Sequence, residues 1–400
     1  MQSFDWIVVG NGLAGAALSY ELAKQGFSVL LLDRSLAPGS ATRYSYGGIP
    51  YWTGTTELTR QLCQEGIERH RTLPEELGAD TQLRDLDLLL TIPAAAGDDP
   101  GQLKDLVDSY SRFATPPRYV TPAEACQIEP QLNPSAIAGA LTVRHGHVNP
   151  EALVTAYNRG FTRLGGTLII AEVTGLVRIK DRITGVTTAE QAYAAGRVAI
   201  AAGGHTRLLL KQADISIPLY YTHAELIETP PVDFEIQALV MPALANRAEI
   251  EAQASDPAAH TLWDKPGHEV APAILDSGVI QFQDGSLRIG QISRALTDLE
   301  PTIDSAESER LMRQTIAQQL PILEAIPGTW RRCLVTFCRD GLPLVGPVPN
   351  LTGLMLFSGF SSPFALLPPA AARFARWAAG EADPLLEQMQ PSRFQETVVL

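Results

Sequence analysis

Three glycines near the N-terminus have the spacing of a turn that binds a dinucleotide. Gly10, Gly12 and Gly15 directly follow the apolar run of residues 6–9 and open a run of helix-forming residues. In such a turn the first glycine permits a tight bend, the second lets a pyrophosphate approach the backbone, and the third lets helix and strand pack closely. The helix N-terminus supplies free N–H groups and a positive dipole end. The spacing therefore predicts a dinucleotide site.

A second strand and an acidic residue complete this unit. Residues 28–32 are a short apolar run, typical of a strand buried on both faces, and the run ends at Asp33. The Asp33 carboxylate can accept hydrogen bonds from a ribose hydroxyl and would repel a 2′-phosphate. We assign Asp33, its neighbour Arg34, and Leu13 and Ala14 at the helix start to the same site.

The elements that follow indicate which dinucleotide is expected. A second G-x-G-x-x-G does not occur in the sequence. Residues 167–173 read as a strand, 176–188 as a hairpin turning near 181–182, and 197–201 as a strand closed by Gly203. This order resembles FAD-binding flavoproteins of the glutathione-reductase type. Within them it resembles the D-amino-acid oxidase, glycine oxidase and sarcosine oxidase superfamily, in which one dinucleotide site serves FAD and no NAD(P) domain exists.

Three later segments carry the same resemblance. Residues 39–48 are similar to the family's loop beside the flavin, 146–153 to its return segment into the FAD domain, and 340–346 to its D-G-x-P-x-x-G motif. In the family a helix, here expected to begin around Pro368 and Pro369, aims its N-terminus at the pyrimidine end of the flavin. The resemblance implies these further FAD contacts: Ser40, Thr42, Arg43, Gly47, Val173, Ala202, Gly203, Asp340, Gly359, Phe360 and Ser361.

The resemblance implies an α/β fold. We expect a glutathione-reductase-like, FAD-binding Rossmann domain with an inserted α+β substrate domain built on an antiparallel sheet. Apolar spacing predicts a helix over 57–77 and strands at 217–228, 278–282 and 286–291. The expected bounds are 1–55, 146–212 and 331–383 for the FAD-binding domain, 56–145 and 213–330 for the substrate domain, and 384–400 for a loose C-terminal tail.

The implied activity is that of an FAD-dependent oxidoreductase. It would move a hydride from the C–N carbon of an amine or amino-acid-like substrate to flavin N5, with O2 or an electron carrier as acceptor. In the glycine-oxidase branch an arginine five residues before the D-G-x-P aspartate holds the substrate carboxylate, whereas this sequence has Val335 there. A simple glycine oxidase is therefore not expected. Other candidates for a carboxylate contact are Arg43, Arg288 and Arg339.

Two segments supply candidate substrate-pocket residues. His205 follows a glycine pair, where a polar ring could bind substrate or could simply be hydrogen-bonded at a helix start. Tyr221 and His223 alternate along the strand 217–228, so they share one face, which we expect to point toward the flavin and not toward the back of the sheet. Tyr46 and Trp52 are candidate pocket walls, although core packing is the ordinary role of such aromatics.

Two other functions fit the same cofactor. The first is oxidation of a C–OH bond, as in 2-hydroxy-acid or polyol-phosphate dehydrogenases, with a buried base such as His205 or His223. The second is a flavin-binding assembly protein without turnover, which the missing carboxylate arginine at position 335 leaves open because a fold does not determine a function.

Cys333 lies seven residues before Asp340, where sarcosine-oxidase-like members carry a cysteine joined to the flavin 8α-methyl group. A nearby cation such as Arg43 would favour the required thiolate. The neighbouring residues, however, read as a plain buried strand, in which cysteine commonly acts as a small apolar side chain. Covalent attachment and ordinary packing both remain open at this point.

Composition restricts the partners and the compartment. With 31 Lys and Arg against 44 Asp and Glu, the net charge is −13, which disfavours nucleic acid and anionic lipid as partners. Four scattered cysteines predict neither a disulfide framework nor a zinc site, and His145 and His147 form a poor metal site without nearby ligand partners. We therefore expect no metal and a reducing, cytoplasmic location.

Neither end nor interior of the sequence reads as a membrane segment. The sequence opens directly on an apolar strand, so we expect no signal or transit peptide. Residues 341–372 carry no charge, but six prolines interrupt them, and a lipid-facing helix could not satisfy its backbone through so many breaks. We expect buried strands and loops there, and no transmembrane segment.

Overall fold

Two large sheets dominate the computed structural model, which describes residues 3–244, 247–394 and 398–399. The strands in chain order are β1 (Ser3–Val9), β2 (Val29–Asp33), β3 (Gly48–Ile49), β4 (Arg84–Pro93), β5 (Arg118–Val120), β6 (Ile137–His147), β7 (Thr167–Ile170), β8 (Val173–Ile179), β9 (Arg182–Thr188), β10 (Ala192–Ile200), β11 (Ile215–Ser216), β12 (Leu219–Glu228), β13 (Leu239–Pro242), β14 (Glu269–Gln281), β15 (Leu287–Leu296), β16 (Thr329–Cys338), β17 (Leu344–Pro347), β18 (Leu354–Ser358) and β19 (Val398–Val399). The α-helices are α1 (Leu13–Lys24), α2 (Ala41–Tyr44), α3 (Glu57–Leu77), α4 (Pro100–Ser109), α5 (Pro122–Ile128), α6 (Pro150–Arg163), α7 (Thr206–Lys211), α8 (Arg247–Ala254), α9 (Ser305–Gln319), α10 (Pro363–Ala378) and α11 (Pro384–Glu387).

The first sheet is mostly parallel and carries the glycine turn. Its strand order is β17-β18-β10-β1-β2-β7, and the β8–β9 hairpin joins it through β10. The central strands are buried on both faces, as their unbroken apolar runs predict. One face packs against α1 and α10 in a cluster that includes Trp6 and Phe374, and a second cluster around Ile7 and Leu30 covers the other face.

The second sheet is mostly antiparallel and corresponds to the predicted insertion. Its order is β16-β12-β15-β14-β13-β4-β6-β3, with β13 and β4 paired in parallel. One face packs against α5 and α9 through an apolar cluster that includes Leu89, Ile227 and Met312. The opposite face is turned toward the glycine turn of the first sheet. The predicted fold class is confirmed.

One predicted helix agrees with the structure in its bounds, and one predicted strand does not. The helix predicted over 57–77 is α3, which begins after Thr56 because the hydroxyl groups of Thr56 and Thr59 accept reciprocal hydrogen bonds from backbone N–H groups. The strand predicted over 167–173 is wrong as one element, because the chain leaves the sheet after Ile170 and starts β8 at Val173.

The C-terminal helix α10 begins at Pro363, five residues earlier than predicted. Pro368 and Pro369 lie inside the helix, where they cannot donate backbone hydrogen bonds to the carbonyls four residues before them. His70 of α3 donates from Nε2 to the freed Phe364 oxygen at 2.7 Å. Residues 363–372, ten of the 32 residues in the uncharged stretch predicted as strands and loops, therefore belong to a helix that α3 supports.

The predicted domain bounds need three corrections. β16 pairs with β12, so residues 331–338 belong to the antiparallel sheet and not to the FAD-binding part. Helix α3, assigned to the substrate domain, packs against α1 and α10 of the parallel sheet. The described part of the predicted tail is packed, because the apolar side chains of Leu386 and Met389 are buried in the same cluster. Residues 395–397 and 400 lie outside the described residues.

None of the helices in the described ranges combines the length and apolar character needed to cross a bilayer.

The crossing of α3 and α10 gives a stability prediction. A Cβ at Gly66 would overlap the carbonyl oxygen of Ala365, so Gly66→Ala should overpack the crossing and cost about 1–3 kcal/mol of unfolding free energy. Thermal denaturation should show a lowered Tm. The control is Gly101→Ala in the exposed helix α4, where the nearest atom would be the Asp99 side chain at 3.1 Å and the substitution should leave Tm unchanged or raise it. Equal Tm values for both variants would contradict the tight crossing.

Candidate functional site

A cavity of about 640 Å³ lies between the two sheets. Its near wall is the C-terminal edge of the parallel sheet, with Gly10, Gly12 and Asp33. Its far wall is one face of the antiparallel sheet. The strands β4 and β12 contribute alternate side chains, as the two-residue period of a strand requires: Leu88 and Leu90, and Ala224 and Leu226. β13 contributes Leu239, Met241 and Pro242, and the edge strand β16 contributes the consecutive residues 333–336.

The glycine turn fits a pyrophosphate. Gly10 has φ +106°, and a Cβ there would lie 2.5 Å from the Ala201 oxygen, while a Cβ at Gly15 would overlap the Gly10 oxygen. At Gly12 the nearest atom would be Thr42 Oγ1 at 3.3 Å, so this side of the turn faces the cavity. Helix α1 has no side-chain cap and no acidic residue in its first turn, which leaves its N-terminus suited to an anionic group.

Asp33 ends β2 at the cavity wall with its carboxylate held in place. Its Oδ2 accepts from the Asn11 N–H at 2.5 Å, and its Oδ1 accepts from the Ser35 N–H at 2.8 Å. A carboxylate fixed in this way at the strand end can receive ribose hydroxyl groups. The turn and Asp33 together fit the adenosine and pyrophosphate part of FAD.

The structure brings most of the predicted cofactor contacts to this one cavity. Sixteen predicted site residues line it: Gly10, Gly12, Leu13, Ala14, Asp33, Arg34, Ser40, Thr42, Val173, Ala202, Gly203, His205, Cys333, Gly359, Phe360 and Ser361. Tyr46 and Trp52, predicted as walls, also line it.

Four predicted cofactor contacts lie outside the lining. Gly15 and Gly47 shape turns, since each Cβ would overlap a backbone oxygen. Arg43 forms ion pairs with Glu151 and with Glu228, which draw its guanidinium away from the cavity. Asp340 is paired with Arg393 at 2.8 Å. The packing role predicted for Gly15 agrees with its close approach to Gly10, and the cofactor contacts of the other three residues stay predictions.

Tyr221 and His223 point away from the cavity, so their predicted orientation is corrected. The cavity receives Ala224 and Leu226, and the odd-numbered side chains of β12 occupy the opposite face. There the Tyr221 hydroxyl donates to the Thr297 oxygen at 2.6 Å. Both faces of β12 are buried, so the alternation of side chains in the sequence does not indicate which face points toward the cavity.

His205 lines the cavity at its dinucleotide end. Burial, and then the charge of Arg34, lower its imidazole pKa, while Glu300, Glu172 and Asp33 act in the opposite direction. The glycine turn before His205 contacts β16 of the far wall, since a Cβ at Gly204 would lie 2.5 Å from Leu334 Cβ. The sequence-based assignment of His205 to the substrate pocket stays a prediction.

The arginines considered for a carboxylate contact do not line the cavity. Arg288 donates to the Ser45 oxygen and stacks on the Phe282 ring at 4.4 Å from its centroid. Arg339 donates from Nε to the Ser255 oxygen at 2.9 Å. Arg247, at the start of α8, lines the cavity instead. The sequence analysis missed Arg247 because its short helix has no motif that points to a site.

Two cavity-lining residues carry a buried donor atom without a hydrogen-bond partner: Arg247 at Nη2 and His145 at Nε2. Arg247 Nε donates to Glu251 Oε1 at 2.7 Å, whereas its buried Nη2 has no partner. His145 was considered only as a poor metal ligand. Among the described residues no group of three His, Cys, Asp or Glu side chains could hold a metal ion.

Cys333 lines the cavity as the covalent hypothesis requires, but its thiol is protonated. It is 6% exposed, and burial raises its pKa to about 12 despite the charges of Arg247, Arg288 and Arg332. A thiol with this pKa is a poor nucleophile until its surroundings change. Attachment to the flavin stays a prediction.

Comparison with known proteins agrees with this geometry. Residues 5–377 match the family model described as DAO, FAD dependent oxidoreductase. The chain is 28% identical over 242 residues to 4-methylaminobutanoate oxidase (formaldehyde-forming) of Paenarthrobacter nicotinovorans, which covers 58% of this chain and 28% of that protein. It is 24% identical over 364 residues to peroxisomal sarcosine oxidase of Mus musculus, covering 90% of this chain and 87% of that protein.

Among solved structures, glycine oxidase from Geobacillus kaustophilus superposes with a TM-score of 0.79 at 20% identity, covering 98% of this chain and all of that one. At this identity the likeness shows the fold alone. The chain spans little more than a quarter of the length of the first relative, 4-methylaminobutanoate oxidase. The match of the family model to residues 5–377 nevertheless covers nearly the whole sequence. The chain therefore belongs to the DAO family of FAD-dependent oxidoreductases.

Proposed function

We propose that this protein oxidises the C–N bond of a small amine or amino-acid-like substrate with FAD bound in the cavity. One observation carries the proposal: a single cavity reaches from Gly12 and Asp33 to Arg247 and His145. Cofactor and substrate can therefore share one space. The relatives named as a 4-methylaminobutanoate oxidase and a sarcosine oxidase support the choice of a C–N bond.

FAD, when bound, supplies the redox chemistry by accepting a hydride equivalent from the substrate carbon. The protein has to bind, orient and desolvate the substrate. The Gly10–Gly15 turn and Asp33 would hold the adenosine diphosphate part. Leu226 and Val335 supply an apolar wall that keeps water from the reacting carbon.

Arg247 gives the substrate its orientation in this proposal. Its Nη2 is buried without a partner, so an anionic acceptor would relieve the cost of an unsatisfied charged donor. A substrate carboxylate satisfies this atom with a charge-assisted hydrogen bond. A bulky substrate also fits better than free glycine, because glycine would leave the apolar far wall uncovered. We therefore infer an amino-acid-like substrate larger than glycine.

The hydrogen bonding of His145 supports C–N over C–OH oxidation. Abstraction of a hydroxyl proton needs a base near the reacting carbon. His145 already accepts a hydrogen bond at Nδ1 from Trp52 Nε1 at 3.1 Å. A neutral amine, by contrast, can lose a hydride without a protein base.

The proposal also names an electron acceptor class and a compartment. O2 or an electron carrier would reoxidise the flavin. All four cysteines are free, including the buried Cys63, Cys333 and Cys338, and their unpaired state supports a reducing, cytoplasmic location.

Cofactor binding is tested at Gly12. Gly12→Val should give a folded but colourless protein, because a Cβ there would meet only the Thr42 side chain, at 3.3 Å, and the added side chain would occupy the pyrophosphate position. The ratio of absorbance at 450 and 280 nm measures occupancy, and circular dichroism checks folding. Gly101→Ala, far from the cavity, should stay yellow. Full flavin occupancy in Gly12→Val would contradict the site.

Substrate class is tested by anaerobic flavin bleaching against amines, amino acids and hydroxy acids. Amines or amino acids should bleach the flavin, whereas bleaching by hydroxy acids alone would favour C–OH oxidation. Failure of every compound would favour an assembly role.

The role of Arg247 is tested on an amino acid that bleaches the flavin. Arg247→Met should raise KM by about 10–100-fold, because a hydrogen bond to a charged group is lost, with a smaller change in kcat. The matching amine without a carboxylate should be unaffected by the substitution. An equal loss for both compounds would remove Arg247 from the carboxylate site.

Covalent attachment is tested by acid precipitation. Yellow colour retained in the wild-type pellet and lost in Cys333→Ser would establish a bond at Cys333. Release of all FAD to the supernatant would leave Cys333 as a buried wall residue.

A further inference from the structure

One part of the cavity wall, formed by three rings and two leucines, is aromatic and apolar. Trp52 stacks on Tyr110 with centroids 6.5 Å apart and meets Phe113 edge-on at 5.1 Å. All three side chains line the cavity, together with Leu88 and Leu90 of β4. We call these five residues the aromatic end. A flat apolar group of about the size of one ring is the natural occupant of such walls.

The aromatic end lies well away from the dinucleotide turn. On the near side, the Gly203–Gly204 turn meets β16, since a Cβ at Gly204 would lie 2.5 Å from Leu334 Cβ. His145 lies on β6, six strand spacings across the sheet from β16. The cavity therefore continues past the strands nearest the turn.

His145 adds one directed polar atom to the aromatic end. Trp52 Nε1 can only donate, so its 3.1 Å contact makes His145 Nδ1 the acceptor and places the ring hydrogen on Nε2. His145 is 4% exposed, and burial lowers its pKa to about 3, so the ring is neutral. Nε2 has no hydrogen-bond partner. The ring therefore presents one unpaired N–H donor and no charge.

Gly48 packs directly beside His145 Nε2, an atom with almost no accessible surface of its own. A Cβ at Gly48 would lie 2.6 Å from His145 Nε2, and Gly48 itself lines the cavity. Any other residue at this position would crowd the donor. The unpartnered His145 Nε2 and the absence of a side chain at Gly48 are two independent observations, and both point to a ligand at this place.

We propose that the aromatic end and His145 form a subsite for a ring-sized apolar substituent of the substrate that carries a neutral hydrogen-bond acceptor, such as an ether, phenol or carbonyl oxygen. The inference deepens the proposed function by naming the substrate's side chain, and it rests on that function. A neutral donor selects an acceptor without selecting an anion. An apolar group of equal size would leave the buried N–H unpaired, which binding penalises.

Two acids of nearly equal size provide the test. The probes are 3-(4-methoxyphenyl)propanoate and 3-(4-ethylphenyl)propanoate, which differ by one ether oxygen and lack a C–N bond to oxidise. Calorimetric titration of the FAD-loaded protein should show the methoxy compound binding about tenfold more tightly. Equal affinities, or binding of neither probe, would overturn the proposal.

Variants identify the donor. His145→Phe and Gly48→Ala should each reduce the preference for the methoxy compound to within about twofold, the first by removing the N–H and the second by covering it. The matched control is His147→Phe, because His147 is buried on the same strand with an unpartnered Nε2 but does not line the cavity. It should keep the full preference. If both cavity variants keep the preference for the methoxy compound, the assignment of His145 as the donor is wrong. If one variant does not fold, the comparison of the two acids on the wild-type protein still tests the subsite.

The bleaching experiment separates this proposal from the proposed function. If amines bleach the flavin but the two acids bind alike, only the subsite is wrong. If the acids are distinguished but no amine bleaches the flavin, only the proposed reaction is wrong.

Discussion

The two sheets face each other across a space that neither of them fills. Each sheet already has its own apolar core, the parallel sheet with α1 and α10 and the antiparallel sheet with α5 and α9. Side chains such as Leu226 and Leu90 nevertheless line the space between them. Apolar area left in water costs roughly 25 cal/mol per Å². A flavin that covers this area therefore stabilises the relative position of the two walls, as any ligand specific to the native state does.

The dinucleotide end could be predicted because its chemistry is local in sequence. The turn, the helix start and Asp33 lie within one strand–helix–strand unit, in which the spacing of Gly10 and Gly12 alone sets the geometry. Helix α3 could be predicted equally well, because its apolar spacing identifies the buried face and the cap at Thr56 identifies the first residue. In both cases the decisive interactions join residues close along the chain.

The substrate end could not be predicted in the same way because it is assembled from distant strands. Every residue of β12 up to Ile227 is buried, so no polar face identifies the side toward the cavity, and Tyr221 was placed on the wrong one. Arg288 and Arg247 look alike in the sequence. The Arg288 guanidinium packs on the Phe282 ring and therefore does not line the cavity, whereas Arg247 does. Which side chains face the cavity depends on how β13, β14 and β15 pair with their neighbours. The spacing of residues in the sequence does not predict this pairing.

The proline pair of α10 has a consequence for synthesis of the chain. The carbonyl that Pro368 frees in Phe364 is paired by His70, and these partners are 294 residues apart. A contact of this separation forms only after most of the polypeptide has left the ribosome. Until then the apolar face of α3, with Leu62 and Ile67, lacks α10 and can be covered only by the earlier helices α1 and α6. The nascent chain therefore leaves part of this amphipathic helix exposed for most of its translation.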